Sequence, residues 1–141
     1  MKCYKPEKVN KDLPGIILLS HGPFAVSLVD TAKMLTDQDD IRVIQVKDYI
    51  INPKPNGYRS LHLILEVPIF LSNEKKNMKV EVQFRTIAMD FWASLEHKLK
   101  YKKNIENAEE ISKELQRCAE ASSQLDLRMQ ALRDRIEAER E

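Results

Sequence analysis

Three polar residues alternate with apolar ones along a short stretch of the chain. Glu81, Gln83 and Arg85 occupy every second position in the run from 79 to 85, so in a β-strand they would share one face. A carboxylate, an amide and a guanidinium in such a row could hold a metal ion, a base edge and a phosphate, respectively. The pattern also fits a plain solvent-facing strand, because outward polar residues are the default in antiparallel sheets.

A second group of candidate residues surrounds a loop. Residues 51–57 are rich in proline and asparagine and end in a glycine, a composition typical of turns. Tyr58 follows this loop, and its ring could stack on a base or pack as an anchor. Lys47, Lys54 and Arg59 lie around the same loop, where they could neutralise phosphates or remain solvated.

A β-hairpin is the element expected to position both groups. Residues 60–70 alternate, with the leucines on one face and His62 on the other. Residues 79–85 alternate again after a polar connector over 71–77, which predicts antiparallel pairing of the two runs. The hairpin would place His62 beside the strand that carries Glu81, although a histidine at this spacing is more often structural.

Two helices are predicted after the hairpin. Thr86 can cap the first, which runs to about Lys100 and places Phe91 and Trp92 in the core. Residues 106–141 form an amphipathic helix whose stripe packs either on the chain's own core or on a second copy. The stripe consists of Ile111, Leu115, Cys118, Ser122, Leu125, Met129, Leu132 and Ile136.

The first part of the chain predicts two strands with a helix between them. Residues 15–20 are a short apolar run bounded by prolines, as in a buried strand. Residues 24–35 have helical spacing, and residues 41–46 alternate. With the hairpin and the later helices, these elements predict an α/β (α+β) fold with a mixed sheet flanked by helices.

Length and charge narrow the class of protein. A chain of 141 residues fits one domain that needs no disulfides or metals for its core. Its net charge of +1 excludes a polybasic protein that holds DNA by charge alone. Residues 1–105 carry 17 basic and 12 acidic residues, whereas residues 106–141 carry 6 basic and 10 acidic ones. We therefore divide the chain into a more basic part, 1–105, and a more acidic helical part, 106–141.

Location follows from what the sequence lacks. No apolar run approaches the roughly 18 residues of a membrane span. The polar N-terminus is unlike a signal peptide, and the two distant cysteines suit a reducing compartment. We expect a cytoplasmic protein without membrane contact.

Four stretches together resemble the RelA/SpoT-type synthetase domain, in particular the small alarmone synthetases, which are GTP pyrophosphokinases. The stretches are Lys47-Asp48-Tyr49, NPKPNGYRSLH at 52–62, VEVQFRT at 80–86 and AMDFWASLEH at 88–97. The resemblance implies a nucleotidyltransferase-like fold and transfer of the β,γ-diphosphate of ATP to the 3′-hydroxyl of GTP or GDP, with Mg²⁺. The product would be (p)ppGpp, the signal of the stringent response.

The resemblance also implies roles for individual residues. Tyr58 matches the tyrosine that stacks on the acceptor guanine, and His62 a histidine near the acceptor phosphates and ribose. Glu81 matches the glutamate that acts as general base or Mg²⁺ ligand at the 3′-hydroxyl, and Gln83 a residue of the acceptor pocket. The basic positions near the acceptor phosphates correspond to Lys47, Lys54 and Arg59.

The N-terminal part departs from the family pattern. The family has a longer, basic ATP-binding half and an Asp-x-x-Gly-x-Arg strand whose aspartate binds Mg²⁺. Asp12 and Gly15 align with that motif and make Asp12 a metal candidate, but Ile17 stands at the arginine position. We therefore expect an N-terminally truncated synthetase that binds GTP or GDP and transfers little diphosphate alone.

Two alternatives remain at this point. Residues 14–35 resemble the opening of a mannose-type enzyme IIA domain of the sugar phosphotransferase system, which would make His21 a phosphohistidine. The chain could instead be a non-catalytic guanine-nucleotide-binding or oligomerisation module that uses the C-terminal helix.

Overall fold

The computed structural model describes residues 3–4, 15–20, 32–102 and 105–140. Five described strands form one mixed sheet in the order β1-β2-β5-β4-β3. The strands are β1 (Cys3–Tyr4), β2 (Gly15–Ser20), β3 (Arg42–Asp48), β4 (Leu61–Phe70) and β5 (Lys75–Thr86). Residues 32–36 are helical, and two long helices follow the sheet, α1 (Ile87–Tyr101) and α2 (Ala108–Ala138). The predicted mixed sheet with flanking helices is confirmed.

The hairpin of β4 and β5 is the centre of the sheet. The two strands pair antiparallel from Leu61 opposite Phe84 to Phe70 opposite Lys75. The connector is shorter than expected, residues 71–74 rather than 71–77, and closes with a hydrogen bond from Leu71 N to Glu74 O of 2.8 Å. Residues 75–79, which are polar except for Met78, extend β5 because they pair with residues 66–70 at the end of β4.

On its other side, β5 pairs in parallel with β2. The predicted strand at residues 15–20 is therefore correct, and its first residue, Gly15, lies opposite Glu81. The short β1 pairs antiparallel with β2, a contact that the polar N-terminal sequence did not predict. Ile17 is buried in β2, as its apolar side chain requires.

Strand β3 closes the opposite edge of the sheet. It runs from Arg42 to Asp48, two residues beyond the predicted end at 46, and pairs antiparallel with β4. A bulge between Val43 and Gln45 interrupts the alternation expected from the sequence. This bulge and the charge of Arg42 suit an edge strand, which must avoid pairing with other chains.

The hydrophobic core lies on one face of the hairpin. Leucines of β4 and the apolar side chains of β5 are almost completely buried there, together with Ala32 of the helical segment. Burying a leucine or phenylalanine contributes roughly 2 kcal/mol or more each. The core residues are Ala32, Leu61, Leu63, Leu65, Val82 and Phe84.

Helix α1 begins where β5 ends. The hydroxyl of Thr86 accepts a hydrogen bond from Met89 N (3.2 Å), which confirms the predicted cap. Met89 and Trp92 form the buried face of the helix, whereas Phe91 is 67 % exposed. The prediction that Phe91 lies in the core was wrong, because a rotation of 100° per residue turns it away from the face that contains Trp92.

Helix α2 packs against α1 through its first half. Trp92 Nε1 donates to the carbonyl of Leu115 at 2.6 Å, and Ala119 is buried. Further along, Asp126 Oδ2 accepts a hydrogen bond of 2.9 Å from the Thr86 hydroxyl. Neither described helix is long and apolar enough to cross a membrane.

Replacing Thr86 by alanine should lower the free energy of unfolding by about 1–2 kcal/mol, since one hydroxyl caps α1 and also binds α2. Urea denaturation at pH 7 measures this. Thr86→Ser keeps the hydroxyl and serves as the control, with an expected loss well below that of alanine. Equal losses in both variants would mean that the methyl group, not the hydroxyl, stabilises this junction.

Candidate active site

Opposite the core, the other face of the hairpin is polar and also buried. Glu81, Gln83 and Arg85 are 5 %, 0 % and 8 % exposed, and His62 on the adjacent strand is 7 % exposed. These values contradict the alternative of a plain solvent-facing strand. Burial of polar groups without partners costs several kcal/mol, so this face must satisfy its own hydrogen bonds.

A histidine–carboxylate contact lies at the centre of this face. His62 Nδ1 is 2.9 Å from Glu81 Oε1, and Gln83 Nε2 donates to the same oxygen at 3.5 Å. The antiparallel register brings the two strands together, with His62 directly opposite Gln83. The hairpin thus places the histidine and the carboxylate side by side, as the sequence predicted.

His62 is neutral at physiological pH. Burial, and after it the positive charges of Arg85, Lys54 and Lys47, lower the pKa of His62 from 6.5 to about 4. A neutral ring has one N–H, and the contact with a carboxylate requires that it lie on Nδ1. His62 therefore donates a hydrogen bond to Glu81, and Nε2 is left as an acceptor.

Tyr58 supplies the proton that Nε2 accepts. Its hydroxyl is 2.9 Å from His62 Nε2 and 3.4 Å from Gln83 Oε1. Arg85 donates to that hydroxyl at 3.0 Å and to Gln83 Oε1 at 2.7 Å. The chain of donors therefore runs from the guanidinium through the tyrosine and histidine to the carboxylate.

Cations and aromatic rings surround the Tyr58 ring. The Nζ of Lys54 lies 5.0 Å from its centroid, and the guanidinium carbon of Arg85 lies 5.5 Å away. Tyr49 makes edge contacts with the rings of Tyr58 and His62, at centroid distances of 6.0 and 5.2 Å. An aromatic ring with two cations close to it is suited to contact a flat, electron-rich base and its phosphates.

Arg85 is held by the start of α1. Its NH1 group donates to Asp90 Oδ1 at 2.9 Å, an ion pair across the strand–helix junction. Its Nε atom is buried and has no hydrogen-bond partner among the described residues. A buried donor without a partner is costly and marks a place where a ligand acceptor could bind.

The loop before Tyr58 is shaped by its own hydrogen bonds. Gly57 has a φ of +95°, which favours glycine, and its N–H donates to Lys54 O at 2.8 Å. Asn56 accepts from Tyr58 N at 3.1 Å and donates to Glu96 Oε1 of α1 at 3.1 Å. The loop therefore presents Tyr58 in a defined position.

The three basic residues predicted for the site do not all lie beside Tyr58 and His62. Lys47 lies on β3 directly opposite His62, and Lys54 lies over the two tyrosines. Arg59 instead faces α2, where NH2 pairs with Glu120 Oε2 at 2.9 Å. Asp12 and His21 lie outside the described residues.

Arg59 borders a cleft of about 630 Å³ between the loop and α2. Most charged groups of this cleft are basic. Its lining residues are Pro53, Lys54, Pro55, Gly57, Arg59, Lys113, Gln116, Arg117 and Glu120.

Sequence reasoning missed Tyr49 and Asp90 as members of the site. Tyr49 stood in a stretch that carried the family resemblance, but an aromatic residue after a strand gives no signal of its own. Asp90 contacts Arg85 only because a helix begins directly after β5. Among the described residues, no group of three or more histidine, cysteine or acidic side chains could hold a metal ion by itself.

Replacing His62 by glutamine should make the free energy of unfolding less dependent on pH in the acidic range. Between pH 6.5 and about 4, the unfolded chain binds a proton at His62 that the folded chain does not, so folded-state stability falls as the pH is lowered. The difference between the unfolding free energies of the wild type and His62→Gln should change by up to about 1.4 kcal/mol per pH unit in this window. Urea titrations from pH 7 to 4.5 measure it.

A difference that is independent of pH, or one that grows in favour of the wild type on acidification, would contradict the neutral histidine. The second outcome would indicate a protonated His62 in an ion pair with Glu81. His97→Gln, at an exposed position of α1, controls for the general loss of an imidazole.

Comparison with known proteins finds relatives over most of this chain. A family model described as a region found in RelA/SpoT proteins matches residues 9–106. The GTP pyrophosphokinases YwaC and YjbM of Bacillus subtilis are 43 % and 35 % identical over 126 and 127 residues. These matches cover 89 % and 90 % of this chain and 59 % of each of those proteins, so the chain spans about three fifths of their length.

Solved structures show the same fold. The small alarmone synthetase 2 of Bacillus subtilis superimposes with a TM-score of 0.79 at 42 % identity, covering 86 % of this chain and 65 % of that one. The small alarmone synthetase 1 of the same organism, bound to its product pppGpp, gives 0.78 at 35 % identity, covering 92 % and 65 %.

The family match includes residues 14–35, and the comparisons lend no support to a phosphotransferase-system segment there. Strand, hairpin and first helix all fall within one matched region, and the buried face of that hairpin carries the residues described above. The chain belongs to the RelA/SpoT family.

Proposed function

We propose that this chain carries the acceptor site of a GTP pyrophosphokinase, which binds GTP or GDP and supports (p)ppGpp synthesis in the stringent response. The observation that carries the proposal is the buried contact of Tyr58, His62 and Glu81, on a hairpin that matches the GTP pyrophosphokinases. In one bound nucleotide, the Tyr58 ring could contact the base while the Glu81 carboxylate faces a hydroxyl of the sugar.

Glu81 is the proposed general base. The 3′-hydroxyl oxygen of the acceptor bonds to the β-phosphorus of ATP, the bond from that phosphorus to the α–β bridging oxygen breaks, and AMP leaves. The hydroxyl proton passes to Glu81. His62 and Gln83 both donate to Oε1, so they orient the carboxylate and direct Oε2 toward the hydroxyl.

A neutral His62 suits this role. A protonated imidazole beside Glu81 would stabilise the carboxylate and weaken it as a base, whereas a neutral ring orients it by one hydrogen bond. The basic residues Arg85, Lys54 and Lys47, which hold the pKa of His62 low, are also placed to offset the charge of the acceptor phosphates.

Mg²⁺ is the proposed cofactor. The described residues offer one buried carboxylate, Glu81, and Mg²⁺ commonly binds through one or two carboxylates together with substrate phosphates and water. Gly15 lies opposite Glu81, and Asp12 precedes it by three positions, which makes Asp12 the second candidate ligand. When bound, the ion would neutralise charge on the transferred diphosphate.

Tyr58→Ala should weaken GTP and GDP binding about tenfold or more, because stacking on an aromatic ring contributes about 1–3 kcal/mol per base.

Glu81→Gln should bind both nucleotides as the wild type does, but lower (p)ppGpp formation from ATP and GTP about 100-fold or more. Calorimetry measures binding, and transfer of label from ATP measures formation.

Tyr101→Ala removes an exposed tyrosine of α1, and Glu74→Gln removes an exposed carboxylate of the turn between β4 and β5, so both serve as controls. Absence of guanine-nucleotide binding by the wild type would overturn the proposal. Equal (p)ppGpp formation by the wild type and Glu81→Gln would contradict the proposed role of Glu81 as the general base.

A second candidate property is self-association through α2. In the first half of its apolar stripe, Leu115 contacts α1, whereas Ile111 and Cys118 are exposed. In the second half, Leu125, Met129, Leu132 and Ile136 are 46–58 % exposed. Contiguous exposed apolar residues on a helix are typical of an interaction surface. We propose a homo-oligomer that buries this second half.

Leu132→Glu with Ile136→Glu should convert the oligomer to monomer, since each glutamate would be desolvated in the interface. Light scattering across a concentration series measures the mass. Glu137→Gln in the same turn is the control. A wild-type monomer at all concentrations would disprove the association.

A further inference from the structure

Arg59 lies next to Tyr58 in the chain but makes its contacts on the opposite side of the loop. Its NH2 group donates to Glu120 Oε2 at 2.9 Å, and its NH1 group donates to the carbonyl of Ala119 at 3.1 Å. The side chain is only 13 % exposed. The guanidinium is therefore fixed on α2 by two partners, in a geometry that a lysine could not reproduce.

Two further contacts hold the same loop on the same helix. Gln116 Nε2 donates to the carbonyl of Pro55 at 2.9 Å. Gly57 lies so close to α2 that an added Cβ atom would come within 2.8 Å of the Ala119 Cβ. Side chain, backbone and close packing thus dock the loop on one turn of α2.

Helix α2 is itself anchored independently of the loop. Trp92 of α1 donates to the carbonyl of Leu115, and Thr86 donates to Asp126, one contact on either side of the docking turn. The turn that contacts the loop therefore has a fixed position relative to β5 and the residues it carries.

Tyr58 is the residue through which this docking reaches the site. Gly57 packs on Ala119 and Arg59 binds Glu120, so both chain neighbours of Tyr58 are held by α2. The Tyr58 hydroxyl meanwhile bonds His62 and Arg85. A displacement of the loop from α2 would therefore move the ring relative to Glu81.

We propose that α2 positions the acceptor loop, residues 51–60, and that Arg59 acts as a positioning residue for Tyr58 and not as a phosphate ligand. The proposal rests on the proposed guanine-nucleotide site. It assigns to the C-terminal helix a direct part in acceptor recognition, in addition to any role in association.

Nucleotides with different numbers of phosphates distinguish positioning from phosphate binding. Arg59→Gln should raise the Kd values of GMP, GDP and GTP by one common factor, about tenfold for loss of hydrogen bonds from a charged group. Glu120→Gln should raise all three by a smaller common factor, about threefold, because Glu120 is largely exposed. Lys54→Gln is the contrast, with an effect expected to grow from GMP to GTP.

The exchanged pair Arg59→Glu with Glu120→Arg should restore part of the affinity lost in Arg59→Glu, which a phosphate ligand would not show. Glu109→Gln, which removes a surface ion pair with Lys113 on the same helix, should leave all three Kd values unchanged. An Arg59→Gln effect that increases with each phosphate would overturn the proposal and place the phosphates in the cleft beside Lys113 and Arg117.

A nucleotide-free measurement keeps this inference separate from the proposed function. Amide hydrogen exchange of Gly57 and Tyr58, whose N–H groups bond within the loop, should accelerate in Arg59→Gln and Glu120→Gln. Amides of the β4–β5 ladder should exchange as in the wild type. Unchanged loop exchange would refute the positioning role, whereas faster exchange in a protein that binds no guanine nucleotide would refute only the function.

Discussion

The structure depends on one constraint, a carboxylate buried in the middle of a sheet. An unpaired charge in this position would cost several kcal/mol, so the groups around Glu81 must satisfy it. His62 and Gln83 donate to it, and Tyr58 and Arg85 extend the network outward. The same contacts that make the buried charge tolerable also fix the orientation of the carboxylate.

The buried carboxylate explains why further polar and charged side chains lie on this face of the hairpin. Cations gather around the network without binding the carboxylate directly, and together with burial they keep His62 neutral. Asp90 balances Arg85 from the first turn of α1. The charged groups of the site therefore lie together near the junction of β5 and α1. Tyr58 lies on the side of the site that faces the loop.

Helix α2 connects the site to the rest of the chain. Its polar composition and long apolar stripe suggest an independent helical tail, yet one turn of it docks the loop that carries Tyr58. The hydroxyl of Thr86 connects α2 to the start of α1, close to Arg85. Substitutions far from Glu81 in the sequence can therefore change the position of Tyr58.

Much of the fold follows from local pattern. Alternation in β4 and β5 predicts the hairpin and its core face, and Thr86 predicts the start of α1. The strand ends were less accurate, since residues 75–79 are mostly polar and join β5 because β4 offers them partners. Phe91 was misplaced because helical spacing shows which residues share a face, but not which face meets α2.

For the site too, some features follow from the sequence and others from the tertiary structure. The sequence by itself determined that Glu81, Gln83 and Arg85 share a strand face, that His62 lies on the neighbouring strand, and that a glycine-ended loop precedes Tyr58. Only the tertiary structure decided that this face is buried, that Arg59 binds α2 while Tyr58 binds His62, and that Asp90 pairs with Arg85. Periodicity fixes which side chains share a face of one element, whereas burial and pairing depend on what packs against that face from distant parts of the chain.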